Sequence, residues 1–97
     1  MNMSELITQL NQIHHDKTLE QYKYLTPEKV HIKERKKFTA IDIGDSGAWL
    51  IEKATGEIFN IKGYGVADYN KKKRSDIGSL ATVNPLDMYN KRWNYLR

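Results

Sequence analysis

The sequence has 97 residues, no cysteine and a formal net charge of +4. A chain of this length forms one domain around one core, and the lack of cysteine excludes disulfides, thiolate zinc sites and cysteine nucleophiles. No apolar run approaches the ~20 residues of a membrane-spanning helix, and the start MNMSELITQL lacks the features of a signal peptide. We therefore expect a soluble cytoplasmic protein that does not contact a membrane.

The positive charge is unevenly distributed along the chain. Residues 1–36 carry six Lys/Arg and five Asp/Glu, residues 37–67 three and four, and residues 68–97 seven and three. The excess in the last third favours an anionic partner such as nucleic acid. A charge of +4 is also ordinary for a small soluble domain, so both interpretations stay open.

Residues 1–36 are predicted to be mainly helical. Ser4 is a candidate cap for a helix that is expected to run to about His14. Beyond it, residues 14–25 either continue this helix or form a second one, and the sequence 26–28 (TPE) ends it. The apolar residues that form one helical stripe are Leu6, Ile7, Leu10 and Ile13.

Residues 37–83 are predicted to form an antiparallel sheet. The segments KFTAIDI, AWLIEK and EIFNIKGYGV are rich in β-branched and aromatic residues and are bounded by glycine-containing turns. Gly56 supplies the positive φ of a tight hairpin, and Gly63 and Gly65 are expected to bend the third strand. A short strand within Ile77 to Val83 is expected to return to the sheet.

Apolar residues occupy both faces of these strands, so both faces need cover. After a break at residues 84–87, residues 84–97 form a C-terminal segment that closes the chain. Together these patterns predict a single α+β domain, with an N-terminal helix or helices packed on a curved antiparallel sheet of three to five strands. A half-open small barrel is one form that such a sheet could take.

The sequence Gly44-Asp45-Ser46-Gly47 matches the residues around the nucleophilic serine of trypsin-like proteases. Those enzymes continue with Gly-Pro and build their site between two barrels, which needs about twice this length. Here Ala48 and Trp49 follow instead. Gly, Asp and Ser are also the residues that a turn between two strands requires. We therefore interpret this sequence as a turn and not as a catalytic motif.

Two candidate metal sites fail on spacing. Asp42, Asp45 and Glu52 lack the acidic-x-Lys triplet that metal-dependent nucleases place on the next strand. Neighbouring helical residues such as His14 and His15 point about a hundred degrees apart and cannot both face one ion. We therefore predict no metal, no cofactor and no enzymatic activity.

The last third of the chain mixes basic and aromatic residues, the combination that holds single-stranded nucleic acid. The run 71–74 is the strongest candidate for phosphate contact, with a solvated loop as the equal alternative. Tyr89 and Trp93 lie four residues apart and also fit the buried face of a closing helix. The basic clusters KERKK (33–37) and KKKR (71–74) are too short to be tails. The predicted nucleic-acid-binding residues are Tyr69, Lys71, Lys72, Lys73, Arg74, Lys91, Arg92 and Trp93.

The sequence TGEI at 55–58, followed by IKGYGV at 61–66, a basic loop and the sequence GSL at 78–80, resembles a loose group of small proteins from bacteriophages and other mobile elements. The resemblance covers about residues 46–82. It implies a phage-like origin and a location in the host cytoplasm. No activity is established for that group, so the resemblance assigns no catalytic residues.

Two hypotheses on function follow. The first is a non-enzymatic protein that associates with nucleic acid through the basic loop and the C-terminal segment. The alternative is a protein-interaction module, either an inhibitor of a host enzyme or a structural particle-assembly protein, with a homodimer as one form. Salt separates them, because phosphate contacts weaken steeply with ionic strength and apolar protein interfaces do not.

Overall fold

The computed structural model describes residues 1–21, 26–63, 66–67 and 77–96, with the backbone alone described at 62–63, 66 and 93–96. Within these residues the chain forms two helices and six strands, which confirms the predicted α+β class. The elements are α1 (Met3–Gln21), β1 (Val30–Glu34), β2 (Phe38–Ile43), β3 (Ser46–Glu52), β4 (Glu57–Gly63), β5 (Val66–Ala67), β6 (Gly78–Ser79) and α2 (Pro85–Leu96).

The strands form one antiparallel sheet in which β1 to β5 lie side by side in chain order. The order is β1-β2-β3-β4-β5, and the two-residue β6 pairs with β4 on the edge that faces away from β3. Strands β1 and β5 lie at opposite ends of this order, so the sheet is open and does not close into a barrel. The prediction of a consecutive antiparallel sheet is confirmed.

Glycine makes both of the predicted hairpin turns. Gly44 and Asp45 form the loop between β2 and β3, where Ile43 pairs with Ser46. Gly44 has φ 60° and Gly56, between β3 and β4, has φ 76°. Residues with a Cβ atom rarely adopt these values, so glycine is required at both turns. The GDSG sequence is therefore a turn followed by the start of β3, as we interpreted it.

The start of helix α1 differs from its prediction, and its other end confirms the alternative in which the helix continues beyond His14. The side-chain oxygen of Asn2 accepts the N–H of Glu5 at 2.8 Å, and the Asn2 carbonyl accepts the N–H of Leu6 at 3.1 Å. Asn2 therefore caps the helix, and the predicted cap at Ser4 is wrong. The helix then continues as one element to Gln21, well beyond His14. Its predicted apolar stripe is confirmed, because two of its residues are fully buried and the other two pack at the margin of the same cluster.

Three further boundaries differ from the sequence analysis. Strand β1, with the sequence VHIKE, lies within the segment that is predicted to be mainly helical. The predicted strand within Ile77 to Val83 does return to the sheet, but only Gly78–Ser79 pairs. The supposed break at residues 84–87 is the start of α2, where the Asn84 side chain caps the first turn.

Both helices contribute to one hydrophobic cluster on one face of the sheet, which we call the helix face. The buried residues of this cluster are Leu6, Leu10, Val30, Ile41, Ile43, Ala48, Trp49, Ile51, Ile58, Ile77, Val83, Met88 and Tyr89. The other face of the sheet, which we call the opposite face, has a smaller buried cluster of Ala40, Leu50, Phe59 and Ala67. The prediction that both faces carry buried apolar residues is confirmed. Neither of the described helices is long and apolar enough to cross a bilayer.

Candidate nucleic-acid interface

The predicted nucleic-acid-binding residues fall into two groups. Lys91 and Arg92 lie on α2, and both side chains are half-buried. Trp93 lies on the same helix, but its side chain is outside the described part of the chain. The remaining residues lie entirely outside the described residues and stay predictions: Tyr69, Lys71, Lys72, Lys73 and Arg74.

Arg92 packs against the core rather than projecting from it. The carbon of its guanidinium lies 5.9 Å from the centroid of the Trp49 ring, which is a cation–π distance. Burial lowers the pKa of Arg92, and Tyr89 opposes that effect. The group remains charged at neutral pH, since arginine is protonated in proteins. Its cation therefore helps to hold α2 on the sheet, which limits its access to a phosphate.

Tyr89 belongs to the core, and the core-packing interpretation of this residue is confirmed. Its side chain is 1% exposed, and its hydroxyl oxygen lies 2.9 Å from Nδ1 of His14 on α1. Burial lowers the pKa of His14, while Glu28 raises it and Arg92 lowers it further. A neutral imidazole can accept the Tyr89 hydroxyl hydrogen at Nδ1. This bond links the two helices across the helix face.

The β1–β2 hairpin carries a basic surface that includes the cluster KERKK at 33–37. Residues 29–37 contain five Lys/Arg and one Glu. The loop of the hairpin is closed by the Arg35 N–H, which donates to the Phe38 carbonyl at 3.0 Å. Four lysines of this segment are exposed, and we call them the hairpin lysines. They are Lys29, Lys33, Lys36 and Lys37.

Few carboxylates neutralise the hairpin lysines. The Lys37 ammonium lies 3.9 Å from a carboxylate oxygen of Glu52 and 5.8 Å from the centroid of the Phe38 ring. Glu34 pairs instead with Lys53 at 2.8 Å, and this hydrogen bond lowers the pKa of the Glu34 carboxyl. Within the described part of the chain, no carboxylate forms an ion pair with the other three hairpin lysines.

Aromatic rings lie next to this basic surface on the opposite face. Lys33 pairs in register with Ala40, so its side chain emerges on that face. The rings of Phe38 and Phe59 meet edge to face there, with centroids 6.4 Å apart, although β3 separates their strands. Phe38 is half-buried and leaves part of its ring accessible beside the hairpin loop. A cation next to an accessible ring is the arrangement that single-stranded nucleic acid favours.

The helix face contains buried polar atoms that lack partners among the described residues. They are Nε1 of Trp49 and both amide atoms of Asn60. These two residues pair in register between β3 and β4, and their exposed fractions are 0% and 1%. Each such atom costs about 1–3 kcal/mol in the folded state. They lie in the interior of the domain and offer no binding surface.

The described residues contain no cluster of three His, Asp or Glu side chains that could hold a metal ion. No protein-family model, curated protein or solved structure matches the chain. The similarity to phage and mobile-element proteins therefore stays a prediction.

Proposed function

We propose that this protein binds nucleic acid without catalysing a reaction, and that the hairpin lysines supply phosphate contacts together with the run 71–74. One observation carries the proposal. Three of the four hairpin lysines are exposed and form no ion pair with a described carboxylate, in a nine-residue segment that has five Lys/Arg and one Glu. Lysines in this state can neutralise phosphates and so release the cations condensed on a nucleic acid.

The hairpin also supports ordered contacts. Strands β1 and β2 pair at five consecutive positions, from Val30 with Ile43 to Glu34 with Thr39. A rigid element loses less conformational freedom on binding than a free loop, so more of each contact is retained as affinity. The accessible part of the Phe38 ring adds a surface on which a base can stack. We therefore expect a preference for single-stranded over duplex nucleic acid.

The experiment is a fluorescence-anisotropy titration of a labelled single-stranded oligonucleotide over a series of salt concentrations. The test variant replaces three hairpin lysines, Lys29→Gln, Lys33→Gln and Lys36→Gln. The matched control removes the same charge outside the hairpin and the run 71–74, Lys17→Gln, Lys23→Gln and Lys62→Gln. We expect the slope of log affinity against log salt to become shallower by about 2 in the test variant, at about 0.7 per lost phosphate contact, and by less than half of that in the control.

Two results would count against the proposal. Equal losses in the two triple variants would mean that net charge alone drives the association. Absence of binding by the wild-type protein at low salt would remove the proposal altogether. Replacing Lys71 to Arg74 by serine in the same assay tests the contribution of that run to the affinity.

A further inference from the structure

Strand β1 is an edge of the sheet that the described residues form, and its hydrogen bonds define which backbone groups point outward. The Gly44 N–H donates to the Lys29 carbonyl at 2.9 Å, and the Arg35 N–H donates to the Phe38 carbonyl at 3.0 Å. This pattern alternates along an antiparallel pair, so the backbone groups of the odd-numbered residues face β2. The residues whose N–H and C=O groups face away from the sheet are Val30, Ile32 and Glu34.

The outward backbone groups of Val30 already form hydrogen bonds with the side chain of Asn11. Asn11 on α1 donates from Nδ2 to the Val30 carbonyl at 2.9 Å and accepts the Val30 N–H at Oδ1 at 2.8 Å. These two bonds are the pair that a neighbouring strand would make. They also confirm that the N–H and C=O groups of Val30 point away from β2. Among the described residues no group pairs with the outward backbone of Ile32, whose side chain is 42% exposed.

The charge of the edge selects what can bind there. A second copy of this chain that paired through Ile32 and Glu34 would place Lys33 directly opposite Lys33 of the copy. Like charges in that position destabilise a strand pair. An acidic strand would instead set a carboxylate opposite Lys33, and the neighbouring Lys29 and Lys36 carry no described ion-pair partner. Self-pairing is therefore disfavoured and an acidic partner is favoured.

We propose that the outer edge of β1 binds an extended acidic segment of a partner protein as an additional antiparallel strand. The backbone groups of Ile32 and Glu34 pair with the segment, and Asn11 marks where the added strand ends. Side chains alternate across a strand, so the segment carries apolar residues beside Ile32 on the helix face and Asp or Glu beside Lys33 on the opposite face. This inference does not depend on nucleic-acid binding, because it rests on backbone pairing at the sheet edge.

The test uses the full chain and an eight-residue peptide of alternating Glu and Val. Two further versions of the peptide carry N-methyl groups on alternate amides. In one version the Val amides are methylated, and in the other the Glu amides are. Only one set can face β1, so we expect one methylated peptide to lose about tenfold or more in affinity, while the other binds like the parent. The peptide should also slow hydrogen exchange of the Ile32 and Glu34 amides.

A charge-reversed variant keeps the test independent of folding. Lys33→Glu should lower the affinity for the Glu-Val peptide and raise the affinity for a peptide of alternating Lys and Val, because the surface charge is reversed without a change in the core. Equal affinity of the two methylated peptides would overturn the proposal. Unchanged hydrogen exchange of the Ile32 amide in the presence of the peptide would also overturn it. If an oligonucleotide displaced the peptide in that case, the peptide would be bound by the lysine side chains alone and not by the backbone of β1. A dimer of the free protein with Ile32 already protected would overturn it as well.

Discussion

Basic side chains are exposed in the β1–β2 hairpin and half-buried in α2. In the β1–β2 hairpin four lysines are exposed, and three of them form no ion pair with a described carboxylate. In α2, Arg92 lies over the Trp49 ring and burial lowers the pKa of its guanidinium. An edge hairpin has little surface to hide a long side chain, whereas a helix that closes a core turns one face inward. The availability of a cation for binding therefore depends on where its element packs.

The largest effect is expected at the contact between α2 and the sheet. Trp49→Ala removes a fully buried ring from the helix face and the partner of Arg92, so we expect a loss of about 3–5 kcal/mol in the free energy of unfolding. Phe38→Ala, on the half-buried hairpin side, should cost much less. Urea unfolding followed by circular dichroism measures both. A loss below about 1 kcal/mol for Trp49→Ala would remove the distinction between the two regions.

A gain in stability is expected from the buried amide of Asn60 on β4. Asn60→Leu keeps the number and branching of the side-chain heavy atoms and removes two polar atoms that lack partners among the described residues, so we expect a gain of about 1–3 kcal/mol. Asn60→Ala is the control, because it removes the same atoms but leaves a cavity. Thermal and urea unfolding give the comparison. Destabilisation by Asn60→Leu would mean that the amide is hydrogen-bonded in solution, for example to a buried water.

A smaller effect distinguishes the two kinds of cation directly. Arg92→Gln should lower the free energy of unfolding by about 1 kcal/mol through the lost packing on Trp49. Lys33→Gln should change it by less than about 0.5 kcal/mol, because exposed surface substitutions away from the core have little effect. The same urea titrations apply. The comparison fails if the lysine variant is the less stable of the two.

The smallest effect concerns pH. The pKa of His14 is lowered from the ordinary 6.5 by burial, so the unfolded chain binds the proton more readily than the folded one. The free energy of unfolding should therefore fall as the pH drops through about 6.5 and level off below the lowered pKa. His14→Gln should make the decline between about pH 7 and pH 5 shallower than in the wild type. Parallel pH profiles of the two proteins would contradict this account.

The sequence predicted the strongly patterned parts of the fold. Strands β2, β3 and β4 follow from runs of β-branched and aromatic residues, and the turns follow from Gly44 and Gly56. Strand β1 has only two apolar residues in VHIKE, and it is a strand because it pairs with β2. Both Asn2 and Ser4 are good caps, so local preference could not choose between them.

The candidate site was harder to predict than the fold. The pairing of β1 with β2 brings three exposed lysines onto one hairpin, Lys29, Lys33 and Lys36. The net charge along the chain does not show this pairing, and it is highest in the last third. The alternation of Val30 and Ile32 with polar residues, followed by a short basic loop and a clear strand, is the signal that could have identified the hairpin. The burial of Arg92 depends on the packing of α2, which no local pattern specifies.

The most direct test of the central claim is a two-dimensional amide NMR titration of the wild-type protein with a single-stranded oligonucleotide at near-physiological salt. The account predicts that the largest shifts occur at residues 29–38 and that the signals of α2 around Arg92 move little. Shifts confined to α2, with the hairpin unchanged, would contradict the assignment of the exposed lysines as the phosphate-binding surface.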